Sequence, residues 1–217
     1  MTRHLDRRAF LKHSCQGGIG ALLALNFGCS ARQAVDSGLN SRTAIIYATR
    51  YGSTQDTAGW IQQGLGSNAA LLDIETLDAS QTLADYDHLV LGSGVWVGGV
   101  HRQLKALLTK HSQALKDRVI ATFVVCGTRG DTEAERQGIA RYLDQIHQAL
   151  GYTPQFVAHF GGRIVVEKLT EKDRAALTRF YKNFLNRPLA SWDRTDPSGA
   201  NRFGESMQTV LEKLHRA

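Results

Sequence analysis

Cysteine and proline are both scarce, with three of each in 217 residues. Cys15 and Cys29 precede the first globular pattern, so the rest of the chain holds Cys126 alone and has no partner for an internal disulfide. Neither a second cysteine nor a closely spaced histidine pair accompanies Cys126, and no metal site is expected. Cys126 reads instead as a small residue ending a buried strand. An apolar run of the ~18 residues needed to cross a bilayer is also missing. The net charge of +6 raises the question of nucleic acid, but Arg3, Arg7, Arg8 and Lys12 stand near the start against Asp6 alone. Setting those five aside takes 26 basic and 20 acidic residues to 22 and 19, a net +3, with no Lys/Arg stripe and no recognition motif. No nucleic-acid partner is expected. What remains, 42% hydrophobic and 21% charged, is the composition of a soluble globular protein.

The N-terminus reads as an address. Asp6-Arg7-Arg8-Ala9-Phe10-Leu11-Lys12 resembles the twin-arginine export motif, and a short Gly-rich apolar stretch follows from Ser14 to Gly28. Residues 1–29 are therefore expected to be a signal peptide, with Cys29 either its last residue or a lipidation site. Residues 30–42 are polar and aperiodic, as in a linker. The resemblance implies export to the periplasm, or anchorage on the outer side of the inner membrane. That route carries folded proteins, commonly with a cofactor already loaded.

Residues 43–217 alternate strand and helix patterns. Short apolar runs at Thr43–Ala48, Ala70–Ile74, His88–Ser93, Val119–Val125 and Gln155–Phe160 predict buried parallel strands. Helical spacing covers Thr54–Leu65, Arg102–Leu115 and Thr132–Leu150. The rhythm predicts an α/β fold with a doubly wound, five-stranded parallel sheet of order 2-1-3-4-5. After Phe160 comes an inserted helical stripe of Leu169, Leu177, Phe180, Tyr181, Phe184 and Leu185, flanked by basic residues. It is expected either to pack over the sheet or to touch a membrane surface or a partner. Asn186–Gly204, with two of the three prolines, reads as a loop before a closing helix bearing Met207, Val210, Leu211 and Leu214.

Between the first strand and the first helix lies Thr49-Arg50-Tyr51-Gly52-Ser53-Thr54. Gly52 lets backbone approach a ligand, three hydroxyls offer hydrogen bonds, and the helix start favours an anion. The triple glycine of a dinucleotide site is absent, and so is the Gly-Lys-Ser/Thr of a triphosphate site. Nor does the strand end in the acidic cluster of a response regulator. The loop suits one phosphate held by neutral donors. From Ile45 to Ile61 this segment resembles the flavodoxin signature at every constrained position: Ile45, Ile46, Tyr47, Thr49, Gly52, Thr54, Ala58 and Ile61. The resemblance implies FMN as cofactor.

In such proteins the flavin ring lies between the loops after the third and fourth strands. Here these are Gly92-Ser93-Gly94-Val95-Trp96-Val97-Gly98-Gly99-Val100-His101 and Cys126-Gly127-Thr128-Arg129-Gly130-Asp131-Thr132. The resemblance makes Ser93, Gly94, Val95, Trp96, Gly98, Thr128 and Gly130 ring contacts, with Trp96 either stacking on the ring or plugging the loop. His101 and Arg129 are either neutralising groups or solvated loop residues. Tyr86-Asp87, Gly92 to Val95, Gly98, His101, Lys110-His111 and Gly161-Gly162-Arg163 are similar to the menaquinone-dependent protoporphyrinogen oxidase group, although Trp96 replaces a basic residue there. The expected function is an FMN redox protein passing electrons or hydrogen between a redox partner or small-molecule substrate and a quinone-type acceptor. The alternative is a flavodoxin-like binding module that has lost flavin or turnover.

Overall fold

The computed structural model describes residues 42–66 and 69–216. The expected signal peptide and all of the linker but Arg42 lie outside the described residues. From Arg42 the chain runs β1 (Thr43–Ala48), α1 (Ser53–Leu65), β2 (Ala70–Asp73), α2 (Ala79–Thr82), β3 (His88–Trp96), β4 (Gly99–Val100), α3 (Arg102–Lys110), α4 (Ser112–Leu115), β5 (Val119–Cys126), α5 (Glu133–Leu150), β6 (Phe156–Gly161), β7 (Arg163–Ile164), α6 (Glu171–Phe184), β8 (Trp192–Asp193) and α7 (Pro197–Arg216).

The main sheet has the order β2-β1-β3-β5-β6, all pairs parallel. Counting those five strands alone, this is the expected 2-1-3-4-5 arrangement. Alternation along β1 builds two cores. Ala44, Ile46 and Ala48 face Leu104, Leu108, Ile139 and Ile146 of α3 and α5, while Ile45 and Tyr47 face Ala58 and Ile61 of α1 and Met207 of α7. Both sides of β1 are therefore dry, which is why it reads as a continuous apolar run.

Three predicted boundaries differ. β3 does not stop at Ser93; it continues to Trp96 and turns back into β4, with Val95 opposite Val100. Val97 and Gly98 make the two-residue turn with φ of 46° and 86°. Positive φ at both positions gives the twist that a tight hairpin needs, at a steric cost for the β-branched Val97. The predicted helix from Arg102 to Leu115 breaks at His111 into α3 and α4. The predicted loop Asn186–Gly204 holds β8 and the first two turns of α7. Of the two prolines behind that expectation, Pro197 opens the helix, where a missing N–H costs nothing. Gly204 lies where α7 crosses α1: a Cβ there would stand 2.2 Å from the Ile61 carbonyl oxygen, and one on Gly64 would stand 2.0 Å from that of Asn201. These glycines exist for close helix contact.

The inserted segment is a closed excursion. β7 and β8 pair antiparallel, Ile164 opposite Trp192, and Arg194 N–H donates to the Gly162 carbonyl at 3.0 Å. α6 projects from this ribbon.

Replacing Gly204 with Ala is expected to destabilise the protein by at least about 2 kcal/mol through forced separation of α1 and α7. Gly59→Ala, in open space on α1, should stabilise by about 0.5–1 kcal/mol. Urea melts of both variants check the contrast; equal effects would refute the packing role.

Candidate functional site

Four chain segments meet at the carboxyl ends of the parallel strands and enclose a cavity of about 580 Å³. They are the β1–α1 loop, the β3–β4 hairpin, the β5–α5 loop and the inserted excursion. Open α/β sheets bind ligands at this edge, because neighbouring loops diverge there.

The β1–α1 loop is shaped by its own groups. Thr49 Oγ1 accepts from Gly52 N–H at 3.1 Å, and Gly52 takes φ of 88° to turn into α1. No side chain caps α1, so its first amides retain their capacity for an anion. Thr54 is buried yet lines the cavity, and its hydroxyl has no hydrogen bond among the described residues. Gly94 passes so close that a Cβ would stand 2.8 Å from Thr54 Oγ1. Arg163 closes the corner: its Nη2 lies 2.5 Å from Asp56 Oδ2 and 3.7 Å from where a Gly52 Cβ would be. A guanidinium from β7, paired with Asp56, thus stands against a loop whose own donors are neutral.

Arg50 and Tyr51 turn away from the helix start and bind the excursion. Arg50 Nη2 and Nε donate to Asp173 at 2.6 and 2.8 Å, and Tyr51 donates its hydroxyl to Asp173 Oδ2 at 2.5 Å. Asp173 sits in the first turn of α6 and is 4% exposed. Burial opposes its ionisation, but the Tyr51 and Arg50 hydrogen bonds outweigh that and hold its carboxyl below the usual range. Arg50 also covers Trp96, 4.6 Å from the ring centroid, and Tyr51 tilts against the same indole at 5.7 Å. Trp96 is therefore a wall braced from both sides.

Of the predicted residues, Thr49, Arg50, Tyr51, Ser53, Thr54, Gly94, Val95, Trp96, Gly98 and Thr128 all line the cavity. Gly52 shapes the loop without lining it. Ser93 is fully buried; its hydroxyl donates to the Gly94 carbonyl at 2.9 Å and accepts from His101 N–H at 2.8 Å. It braces the hairpin. Gly130 is spent on the β5–α5 loop: its N–H donates to Glu135 at 3.1 Å and its carbonyl accepts from Arg136 at 3.1 Å. Glu135 is the third helical residue of α5, whose cap is Thr132, and its carboxylate reaches past the cap to the N–H groups of Gly130 and Asp131.

Further residues join from the excursion. Leu177, Phe180, Tyr181 and Trp192 add an aromatic wall, with Trp192 Nε1 donating to Tyr181 at 2.6 Å. Arg50, Arg129, Arg163, Arg187 and Arg194 all line the cavity, against one carboxylate, Glu135. His101 adds no charge. Burial lowers its pKa, assisted by Arg50 and Arg102 and opposed by Glu75 and Asp73, so the ring is neutral at pH 7 and its buried Nδ1 has no partner. Cys126 lies at the floor, where burial raises the thiol pKa and keeps it unreactive.

Asp173→Asn should cost about 2 kcal/mol at neutral pH, discounted because Arg50 is part-exposed. The depressed folded-state pKa makes the contribution complete above the unfolded value of about 3.9 and lost as pH falls below it. Denaturant melts across that window should show the two proteins converging; a gap that stays constant into acid would refute the assignment.

Among curated proteins, none matches this sequence. Two solved structures share the fold at a TM-score of 0.50. The flavodiiron core of Flv1 from Synechocystis sp. PCC6803 is 16% identical over 79% of this chain and 36% of its own. Rubredoxin:oxygen oxidoreductase from Desulfovibrio gigas is 13% identical over the same shares. The chain thus spans about a third of the length of those proteins. A flavodoxin, WrbA-like protein from Agrobacterium tumefaciens is 17% identical over 81% of this chain and 98% of its own, with a TM-score of 0.47. The flavodoxin domain family model matches residues 44–184, from β1 to the end of α6, and the chain belongs to the flavodoxin domain family.

Proposed function

We propose that this domain is an FMN-dependent redox protein that passes electrons or hydrogen between a partner or small substrate and a quinone-type acceptor. One juxtaposition carries the reading: the uncapped start of α1, with the unpartnered Thr54 hydroxyl, opens into a cavity walled by Trp96 and Tyr51. FMN is the cofactor that this arrangement fits. Its phosphate matches the free amides and hydroxyls of Ser53 and Thr54, with the Arg163–Asp56 ion pair beside them. Its flat, apolar-faced ring system matches the indole and phenol walls. Gly94 supports the fit, since a side chain there would strike Thr54.

When bound, FMN supplies one- and two-electron transfer. The chain's own residues position, neutralise and exclude water. Thr54 and Ser53 fix the phosphate end. Arg129 and Arg194 place positive charge around the cavity, which favours anionic ligands. His101 lines the cavity without adding charge. The excursion roofs the cavity with Phe180, Tyr181 and Trp192, and a substrate meeting the flavin would lie against these rings. A dehydrogenase resembling the protoporphyrinogen oxidase group is the specific form of this reading; the arginines and aromatic roof support a planar, anionic substrate. The flavin-free alternative draws its support from Arg50 lying over Trp96.

Purified full-length protein titrated with FMN should quench flavin fluorescence stoichiometrically. Thr54→Val, which keeps the side-chain shape, should weaken binding by roughly tenfold or more through one lost charge-assisted hydrogen bond. Protein that ignores FMN would refute the reading in favour of the flavin-free module, and unchanged affinity in the variant would remove the phosphate assignment.

The address at Arg7-Arg8 supports export, with the flavin loaded beforehand. Arg7→Lys together with Arg8→Lys should retain the precursor in the cytoplasm, as followed by cell fractionation; normal export would overturn this.

A further inference from the structure

Two faces of α6 and the turn after it, one apolar and one basic, reach solvent in part. Along one run Leu177, Phe180, Tyr181, Phe184 and Leu185. Leu177 and Tyr181 are buried, whereas Phe184 is 76% exposed and Leu185 42%. Phe184 is not an isolated ring: it lies against Phe180 with centroids 5.3 Å apart, and Phe180 and Leu185 both line the cavity. The exposed knob is continuous with the cavity wall. Single exposed apolar residues are ordinary, but a ring pair joined to a pocket is a feature of interaction surfaces.

On the neighbouring face Arg174, Thr178, Lys182 and Asn186 recur at four-residue spacing and border, with Arg187 and Leu189, a depression of about 490 Å³. Between Asp173 and Asp193 the sequence carries four basic residues, Arg174, Arg179, Lys182 and Arg187, and no acidic one. An apolar knob flanked by unopposed cations is the pattern of an interfacial helix.

We propose that α6 and the turn after it dock on an anionic lipid surface, with Phe184 and Leu185 entering the boundary between headgroups and acyl chains and Arg174, Lys182 and Arg187, spread from the first turn of α6 to the turn beyond it, meeting headgroup phosphates. Charge complementarity selects this occupant. A second copy related by two-fold symmetry would set the same cations against each other, which is repulsive. The inference stands on α6 and the turn after it and does not require bound flavin.

The test uses the full-length chain carrying Phe184→Trp, read against the fluorescence of the unsubstituted protein. With vesicles of phosphatidylglycerol and phosphatidylcholine bearing brominated acyl chains, the added emission should shift to the blue and be quenched, and added salt should reverse both. Because the probe reports from position 184, binding through residues 1–41 does not mimic the signal. Changing Arg174, Lys182 and Arg187 together to Gln in that background should weaken partitioning by at least roughly tenfold. An emission indifferent to anionic vesicles overturns the proposal, as does equal quenching by pure phosphatidylcholine. A blue shift on concentrating the protein without lipid assigns the face to self-association, and also overturns it.

Discussion

A carboxylate taken out of water must be paired, and Asp173 is where this domain meets that constraint. The cost of an unpaired buried charge is several kcal/mol, so the chain around it is obliged to supply donors. Arg50 and Tyr51 supply them from the loop after β1, and Thr170 N–H in turn donates to the Tyr51 hydroxyl at 3.2 Å. The loop that begins the site is thereby tied to an excursion more than a hundred residues later. The same contact fixes Arg50 over Trp96, so one ion pair ties the wall of the cavity to its roof.

That coupling explains why the chain leaves the sheet where it does. Gly161 ends β6, and a Cβ there would collide with the returning Arg194 carbonyl at 1.9 Å. The glycine lets the outgoing and returning strands of the excursion pass each other beside the site. Arg163 and Arg194 are the first and last cationic residues of that passage, and both line the cavity. The excursion delivers charge at its root and aromatic surface at its centre, from one short closed ribbon. A helix added elsewhere on the sheet could do neither.

The fold was legible in the sequence because strand burial on both faces leaves uninterrupted apolar runs. Thr43–Ala48 and Val119–Val125 could be little else, and their alternation with amphipathic stretches left one common topology. Residues acting through local chemistry were legible too: Gly52, Ser53 and Thr54 sit within a few positions of one another. What depends on distance in space was not. Arg50, Arg129, Arg163, Arg187 and Arg194 looked scattered, yet β1, β5, β7 and the excursion deliver all five to one cavity. Asp173 gave no signal because a first-turn carboxylate on a helix is ordinary. Gly204 fell within the expected loop and Gly64 within an expected helix, and neither position signalled that both serve the crossing of α1 and α7.

The electrostatics of the cavity follow from which of those arginines are already satisfied. Arg50 is matched by Asp173 and Arg163 by Asp56. Among the described residues no carboxylate lies within ion-pair distance of Arg129, Arg187 or Arg194, while Glu135 is committed to the Gly130 and Asp131 amides of its own loop. The unmatched positive charge therefore sits on the loop and roof, opposite the α1 terminus that suits a phosphate. A ligand with negative charge at two separated points would satisfy both ends, whereas one with a single phosphate would leave the roof side unneutralised. Arg187, which lines the cavity and also borders the basic depression on α6, carries that positive charge to the outer surface.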